Sequence, residues 1–149
     1  MRAIVQRVSS ASVMVGKDLV GSIQTGLLVL LGVAVDDQVE DAIFMAEKIP
    51  KLRIFADAAG KMNLSLRDIG GAILLVSQFT LYGDVSAGNR PGFELAAKPE
   101  AAEALYVEVV KRMRDSGVRV ETGRFRTDMQ VALCNDGPVT LLVESKKRF

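Results

Sequence analysis

Apolar residues are spaced among polar ones over the first fifteen positions. Ile4 and Val8 sit between polar neighbours, and Ser12-Val13-Met14-Val15 follows after a short polar break. That pattern predicts an extended strand over Met1–Val15. Gly16-Lys17-Asp18 then reads as a hairpin turn, with Leu19–Ile23 as the returning strand. Gly26–Val35 is apolar almost throughout and shows no alternation. A run of that kind predicts a strand buried on both faces.

The period changes after Asp36. Val39, Ala42, Ile43, Ala46 and Ile49 follow helical spacing. Asp36-Asp37 supplies the start, Asp37 with Glu40 a loose capping box, and Pro50 the stop. Leu52–Ala56 predicts a short strand, Asp57–Lys61 a turn, and Ala72–Thr80 a strand rich in Ile, Leu and Val. Gly83–Gly92 is a glycine-rich loop. A second helix is expected over Pro99–Ser116, with Pro99 at its first position and Gly117 just past its end. Its buried stripe is Ala102, Leu105, Tyr106, Val109 and Met113. Val118–Glu121, Met129–Cys134 and Val139–Glu144 predict three more strands. Asn135-Asp136-Gly137-Pro138 joins the last two. The sum is one mixed α/β domain, residues 1–149, with two main helices and mostly antiparallel sheets curled toward a barrel.

Composition agrees with a packed core: 49% of the 149 residues are hydrophobic and 25% charged. The net charge of +1 gives no global attraction to nucleic acid, and no DNA partner is expected. Two local basic groups remain, Arg2 with Arg7 and the tail Lys146-Lys147-Arg148. The tail reads first as a solvated chain end. A single cysteine, Cys134, cannot form an internal disulfide, which suits a reducing compartment. On its apolar strand it reads as a small buried core residue. The N-terminus lacks a signal-peptide pattern and the longest apolar run is too short to span a bilayer, so a cytoplasmic, membrane-free protein is expected.

The chemistry is narrowed by the absence of histidine. Ser-His-Asp and Cys-His activation are removed, as are His-based zinc sites, and one Cys cannot build a thiolate cage. Neither phosphate-binding glycine motif occurs. No metal and no cofactor are expected. Hydroxyls, amides and backbone groups remain, and they suit a substrate that is already reactive, such as an activated ester.

Two segments place such groups at strand ends. Ser77-Gln78-Phe79-Thr80 closes a buried strand, where a rigid sheet fixes side chains well. Hydroxyls there can equally satisfy local backbone groups. Asn135-Asp136-Gly137-Pro138-Val139-Thr140 interrupts two apolar strands, and Pro138 must sit at a turn, bulge or edge. Taken alone, it passes for a hairpin turn.

Together, the Ser-Gln-Phe-Thr-Leu and Asn-Asp-Gly-Pro-Val-Thr segments resemble the D-aminoacyl-tRNA deacylase family (D-tyrosyl-tRNA deacylases). The resemblance runs over essentially the whole chain. It includes the start Met1-Arg2-Ala3-Ile4-Val5-Gln6-Arg7-Val8 and the loop Gly88-Asn89-Arg90-Pro91-Gly92-Phe93. Relatives commonly carry serine where Gly92 stands, so a hydroxyl role there is in doubt.

The resemblance implies hydrolysis of the ester between a D-amino acid and the terminal adenosine of tRNA, and of glycine mischarged on alanine tRNA. It implies a homodimer with each active site at the interface. A cis Gly137-Pro138 bond would reach into the partner's site, offer carbonyls to the substrate's amino group and exclude L side chains. Ser77, Gln78, Phe79 and Thr80 would form the other wall, with backbone N–H groups near Phe79 and Thr80 facing the oxyanion. Thr80 then positions water or ribose, and the neighbouring 2′-hydroxyl of the tRNA takes part in place of a protein base. Phe125 and Met129 would line an adenosine pocket, against the alternative of ordinary core packing. Arg7, Arg53, Lys146, Lys147 and Arg148 are the candidate phosphate contacts. The rival readings are a non-catalytic tRNA-binding module of the same fold, and a hydrolase of small esters or amides using Thr80 or Ser77.

Overall fold

The computed structural model describes residues 1–146. Lys147 and Arg148 therefore lie outside the described residues. The long first strand, β1 (Arg2–Val15), organises the sheet. Its first half pairs antiparallel with β3 (Gly26–Gly32), and its second half with β2 (Asp18–Ile23). Its other edge pairs antiparallel along nearly its whole length with the last strand, β8 (Gln130–Glu144). Beyond β3 lie β6 (Ala72–Ser77) and β7 (Arg119–Thr122), both parallel. A small ribbon, β4 (Phe55–Ala56) with β5 (Met62–Leu64), completes the strands. The sheet curls until β2 faces β7. A Cβ on Gly21 would meet the Thr122 carbonyl oxygen at 2.4 Å, so glycine is needed for this approach. The result is the expected mixed α/β architecture with a nearly closed, barrel-like sheet.

The unalternating apolar runs are explained by two separate cores. Leu27, Val29 and Leu31 of β3, with Ile73 and Leu75 of β6, face the helices. Leu28 of β3, with Ala72, Leu74 and Val76 of β6, faces into the curl against Val8, Val13 and Ile23. Each strand buries both faces, so neither can alternate. Helix α1 (Val39–Lys48) covers the outer core with Ala42, Met45 and Ala46. Helix α2 (Pro99–Asp115) covers it with Tyr106, Val109, Val110 and Met113. Pro99 occupies the first turn, and Gly117 follows α2 at φ 91°, a left-handed position suited to glycine.

Four expectations need correction. Helix α1 begins at Val39 after Gln38, not at Asp36-Asp37. The Asp37 carboxylate is drawn elsewhere: it accepts from Ala34 N–H at 2.6 Å and from the buried Met1 amino group at 2.8 Å. Asp41 takes the capping role, accepting from Gln38 N–H at 2.8 Å. The strand expected over Ala72–Thr80 stops at Ser77, and Phe79–Tyr82 forms a 3₁₀ turn. The two strands expected around Asn135–Pro138 are one strand, β8, so that segment is no hairpin turn. Cys134 is exposed, because among the described residues β8 pairs only with β1 and nothing covers its outer residues. The ribbon strand β5 has no counterpart in the sequence reading.

The two chain ends meet beside α1. Asp41 accepts from Ser145 Oγ at 2.6 Å and from Lys146 Nζ at 2.9 Å. Burial acts to raise the Asp41 pKa, but these bonds and the Gln38 N–H bring it down to about 2. Among the described residues no helix is long and apolar enough to cross a membrane.

Candidate active site

Strand β6 ends beside β3, where Gln78 N–H donates to Leu31 O at 2.8 Å. Gln78 then leaves the strand conformation at φ −144°, ψ 82°, and the chain turns into the 3₁₀ segment. In such a turn the leading amides, those of Phe79 and Thr80, have no acceptor within the turn. The first recorded bond runs from Leu81 N–H to Gln78 O at 3.3 Å. The Gln78 side-chain amide donates to the Thr80 hydroxyl.

An open pocket of about 710 Å³ lies beside this turn. Ser77, Gln78, Phe79, Phe125 and Met129 all line it. Five of the predicted site residues therefore share one cavity. Thr80 is exposed and does not line it; Gln78 links it to the wall. Phe79 is 58% exposed and meets Phe93 edge-on at 5.0 Å, which joins the pocket wall to the Arg90-Pro91-Gly92-Phe93 loop. That loop is closed at its neck by reciprocal Asp84–Gly92 backbone bonds of 2.8 Å. A Cβ at Gly92 would come 2.6 Å from the Glu94 carboxylate, a flexible side-chain end that can move aside.

The pocket holds residues that sequence reasoning assigned only to packing or not at all. Tyr106 was expected in the buried stripe of α2. Its hydroxyl donates to Leu75 O at 2.7 Å and its ring lies 5.9 Å from that of Phe125. Burial pushes its phenol up to about 12, so it stays protonated at neutral pH. A polar tip inside an apolar stripe was the available signal. Arg126 also lines the pocket, in a left-handed conformation, φ 59°, that no turn signal around it announces.

Gly137 and Pro138 do not reach this pocket. They are exposed on β8, and the bond between them is cis. Gly137 has φ 127°, and a Cβ there would come within 2.9 Å of both Arg7 Nη2 and Val139 Cγ2. Arg7 is engaged inside the chain: Nε donates to Asp136 O at 3.1 Å and Nη1 to Ile54 O at 2.7 Å. Lys146 is likewise engaged, with Asp37 at 2.6 Å and Asp41 at 2.9 Å. Arg53 donates to Asn63 O at 2.9 Å from an exposed position.

Fold and site thus define an α/β protein with a cavity lined by Ser77, Gln78 and the rings of Phe79, Tyr106 and Phe125, in a chain without histidine. The description "D-Tyr-tRNA(Tyr) deacylase" belongs to the family model that matches residues 4–144. A D-aminoacyl-tRNA deacylase of Anaeromyxobacter dehalogenans is 60% identical over 149 residues, covering all of both chains. One of Clostridioides difficile is 58% identical over the same full lengths. Among solved structures, one described as a c-Myc DNA unwinding element binding protein has a TM-score of 0.92 at 42% identity, covering 98% of this chain and 99% of that one. A probable eukaryotic D-amino acid tRNA deacylase has a TM-score of 0.85 at 18% identity, with 96% and 98% coverage, and shows the shared fold. The chain belongs to the D-Tyr-tRNA(Tyr) deacylase family. It is a hydrolase of the D-aminoacyl-tRNA deacylase class.

Proposed function

We propose that the protein clears D-amino acids from tRNA in the cytoplasm by hydrolysing their ester to the terminal adenosine, and that it accepts glycyl esters as well. The observation that carries this reading is the single cavity uniting Ser77, Gln78 and Phe79 with Phe125 and Met129. Phe125 and Met129 give the adenine base an apolar slot. The leading amides of Phe79 and Thr80, left without an acceptor in the turn, are the donors offered to a developing oxyanion. Thr80 has no base beside it. Its hydroxyl positions water or ribose, and the 2′-hydroxyl of the tRNA supplies the group that a protein base would otherwise provide.

Gly137-Pro138 stands exposed outside the cavity, so within one chain it does not meet a substrate held there. A homodimer resolves this: Pro138 of one subunit enters the other's pocket. Its carbonyl and that of Gly137 accept from the ammonium, while an L side chain collides with the ring. Glycine carries no side chain and passes. The outer strand β8 supports this assembly, since Leu133 (39% exposed) and Leu142 (48%) leave apolar surface uncovered along an edge paired only with β1.

The deciding assay compares D-Tyr-tRNA with L-Tyr-tRNA. Release of D-tyrosine with the L ester intact is expected; equal rates would sink the chiral argument. Undiminished cleavage of a 3′ ester on tRNA ending in 2′-deoxyadenosine would remove the ribose hydroxyl from the mechanism. The structural neighbour named for DNA binding favours a second reading, nucleic-acid binding without turnover. Binding of tRNA with no ester loss would establish it.

A further inference from the structure

The Gly137-Pro138 segment leaves the β1–β8 ladder. Gln6 faces Thr140 and Val8 faces Asn135, so residues 136–139 stand opposite Arg7 alone. An excursion of this length forfeits ladder hydrogen bonds and, left to itself, would move. Here its two ends are tied together by side chains. Val139 N–H donates to Asn135 Oδ1 at 3.2 Å. The Asn135 amide nitrogen donates to Thr140 Oγ1 at 2.9 Å, and Gln6 Nε2 donates to the same hydroxyl at 3.3 Å. The Val139 amide needs an acceptor, so Oδ1 must face it and Nδ2 must face the threonine. On the other side, Arg7 holds the Asp136 carbonyl.

Of the residues in these bonds, only Val139 belongs to the core. Asn135 is half-buried and Thr140 exposed. Their shared effect is to close the base of a short exposed loop whose middle residues are Gly137 and Pro138. We infer that Asn135, acting with Thr140, is the positioning residue that aims the Gly137 and Pro138 carbonyls, and that chiral selection depends on this clamp. The inference rests on the reading that Gly137-Pro138 meets the substrate's amino group. Carbonyl acceptance is directional, and rejecting an L side chain needs a wall that does not yield. A loosened loop would lose both at once, by weaker capture of the D ester and weaker exclusion of the L ester.

Asparagine suits the task because one short side chain both accepts and donates. Aspartate can take its place, accepting from Val139 N–H with one oxygen and from the Thr140 hydroxyl with the other. Leucine has similar size and can do neither. The test measures kcat/KM of full-length Asn135→Leu, Asn135→Asp and Pro138→Ala on D-Tyr-tRNA and L-Tyr-tRNA. Asn135→Leu should lower the D value by about tenfold or more and shrink the D-to-L ratio by about tenfold, as an ångström-scale displacement does. Asn135→Asp should restore most of both. Thr140→Val, with Thr140→Ser as its rescue, repeats the test should Asn135→Leu fail to fold.

A wild-type D-to-L ratio in Asn135→Leu and in Thr140→Val would overturn the clamp. If Pro138→Ala changes the ratio while those variants do not, the clamp alone fails. If Pro138→Ala also leaves the ratio unchanged, the reading of Gly137-Pro138 fails and takes the clamp with it.

Discussion

Ser77 and Pro138 each sit where a strand is interrupted, yet they are held by different means. Ser77 ends β6, which has β3 on one side and β7 on the other and keeps residues 72–76 buried. Packing fixes it, and Gln78 N–H to Leu31 O fixes the exit. Pro138 lies on β8, which has β1 on one side only, and side-chain bonds from Arg7 and Asn135 brace the loop around it. The difference suits the two roles proposed for them. A reaction wall gains from the rigidity of a close-packed core. A selector that serves another surface must be presented outward, where packing cannot hold it and local hydrogen bonds must.

That contrast can be broken from the core side first. Leu75 is fully buried two residues before Ser77, and Leu75→Ala should cost about 2–5 kcal/mol, read as a lower urea midpoint. Stability and activity should fall together. Gly137→Ala attacks the other region. Its Cβ would press on Arg7 and Val139 at a left-handed φ, so kcat/KM on the D ester should drop about 100-fold, equivalent to ~2.7 kcal/mol. The purified protein should stay folded by circular dichroism; a fully active alanine variant would show the segment to be unimportant.

Smaller effects sharpen the comparison. Tyr106→Phe keeps the ring against Phe125 and removes the bond to Leu75 O, costing ~1 kcal/mol in thermal unfolding. Its effect on the D-to-L ratio should be nil, since it touches only the core-held wall. The smallest effect is acid sensitivity at the joined chain ends. The folded Asp41 pKa lies at about 2, below its ordinary 3.8. Its contribution to stability is therefore full above pH 4 and lost as pH falls toward 2. Asp41→Asn should flatten that part of the stability profile; an unchanged acid limb would remove Asp41 from it.

Much of the scaffold was legible because its signals are local. The buried runs of β3 and β6 showed strands covered on both faces, and the stripe of α2, with Pro99 before and Gly117 after, marked a helix at both ends. The joint presence of the two site segments also pointed to the family that the whole-chain match established. What sequence missed was set by distant partners. Asp37 looked like part of a helix start, but the Met1 amino group and Ala34 N–H take its carboxylate. Cys134 looked buried because its neighbours are apolar, but burial depends on what lies above a strand. Arg7 and Lys146 looked free to meet phosphates, and the fold turns both inward.

The sequence by itself determined which residue types could act: no imidazole, one thiol, and two polar segments set among apolar strands. It also determined the apolar periods that make two helices and a curled sheet. Only the tertiary structure decided that Phe125 and Met129 share one cavity with Ser77 while Gly137-Pro138 stands outside it. Residues as far apart in the chain as Leu31 and Val131 meet there, because the parallel placement of β6 beside β3, with β7 beyond, brings their ends together. No periodicity encodes such a meeting; it follows from how the sheet closes over two cores.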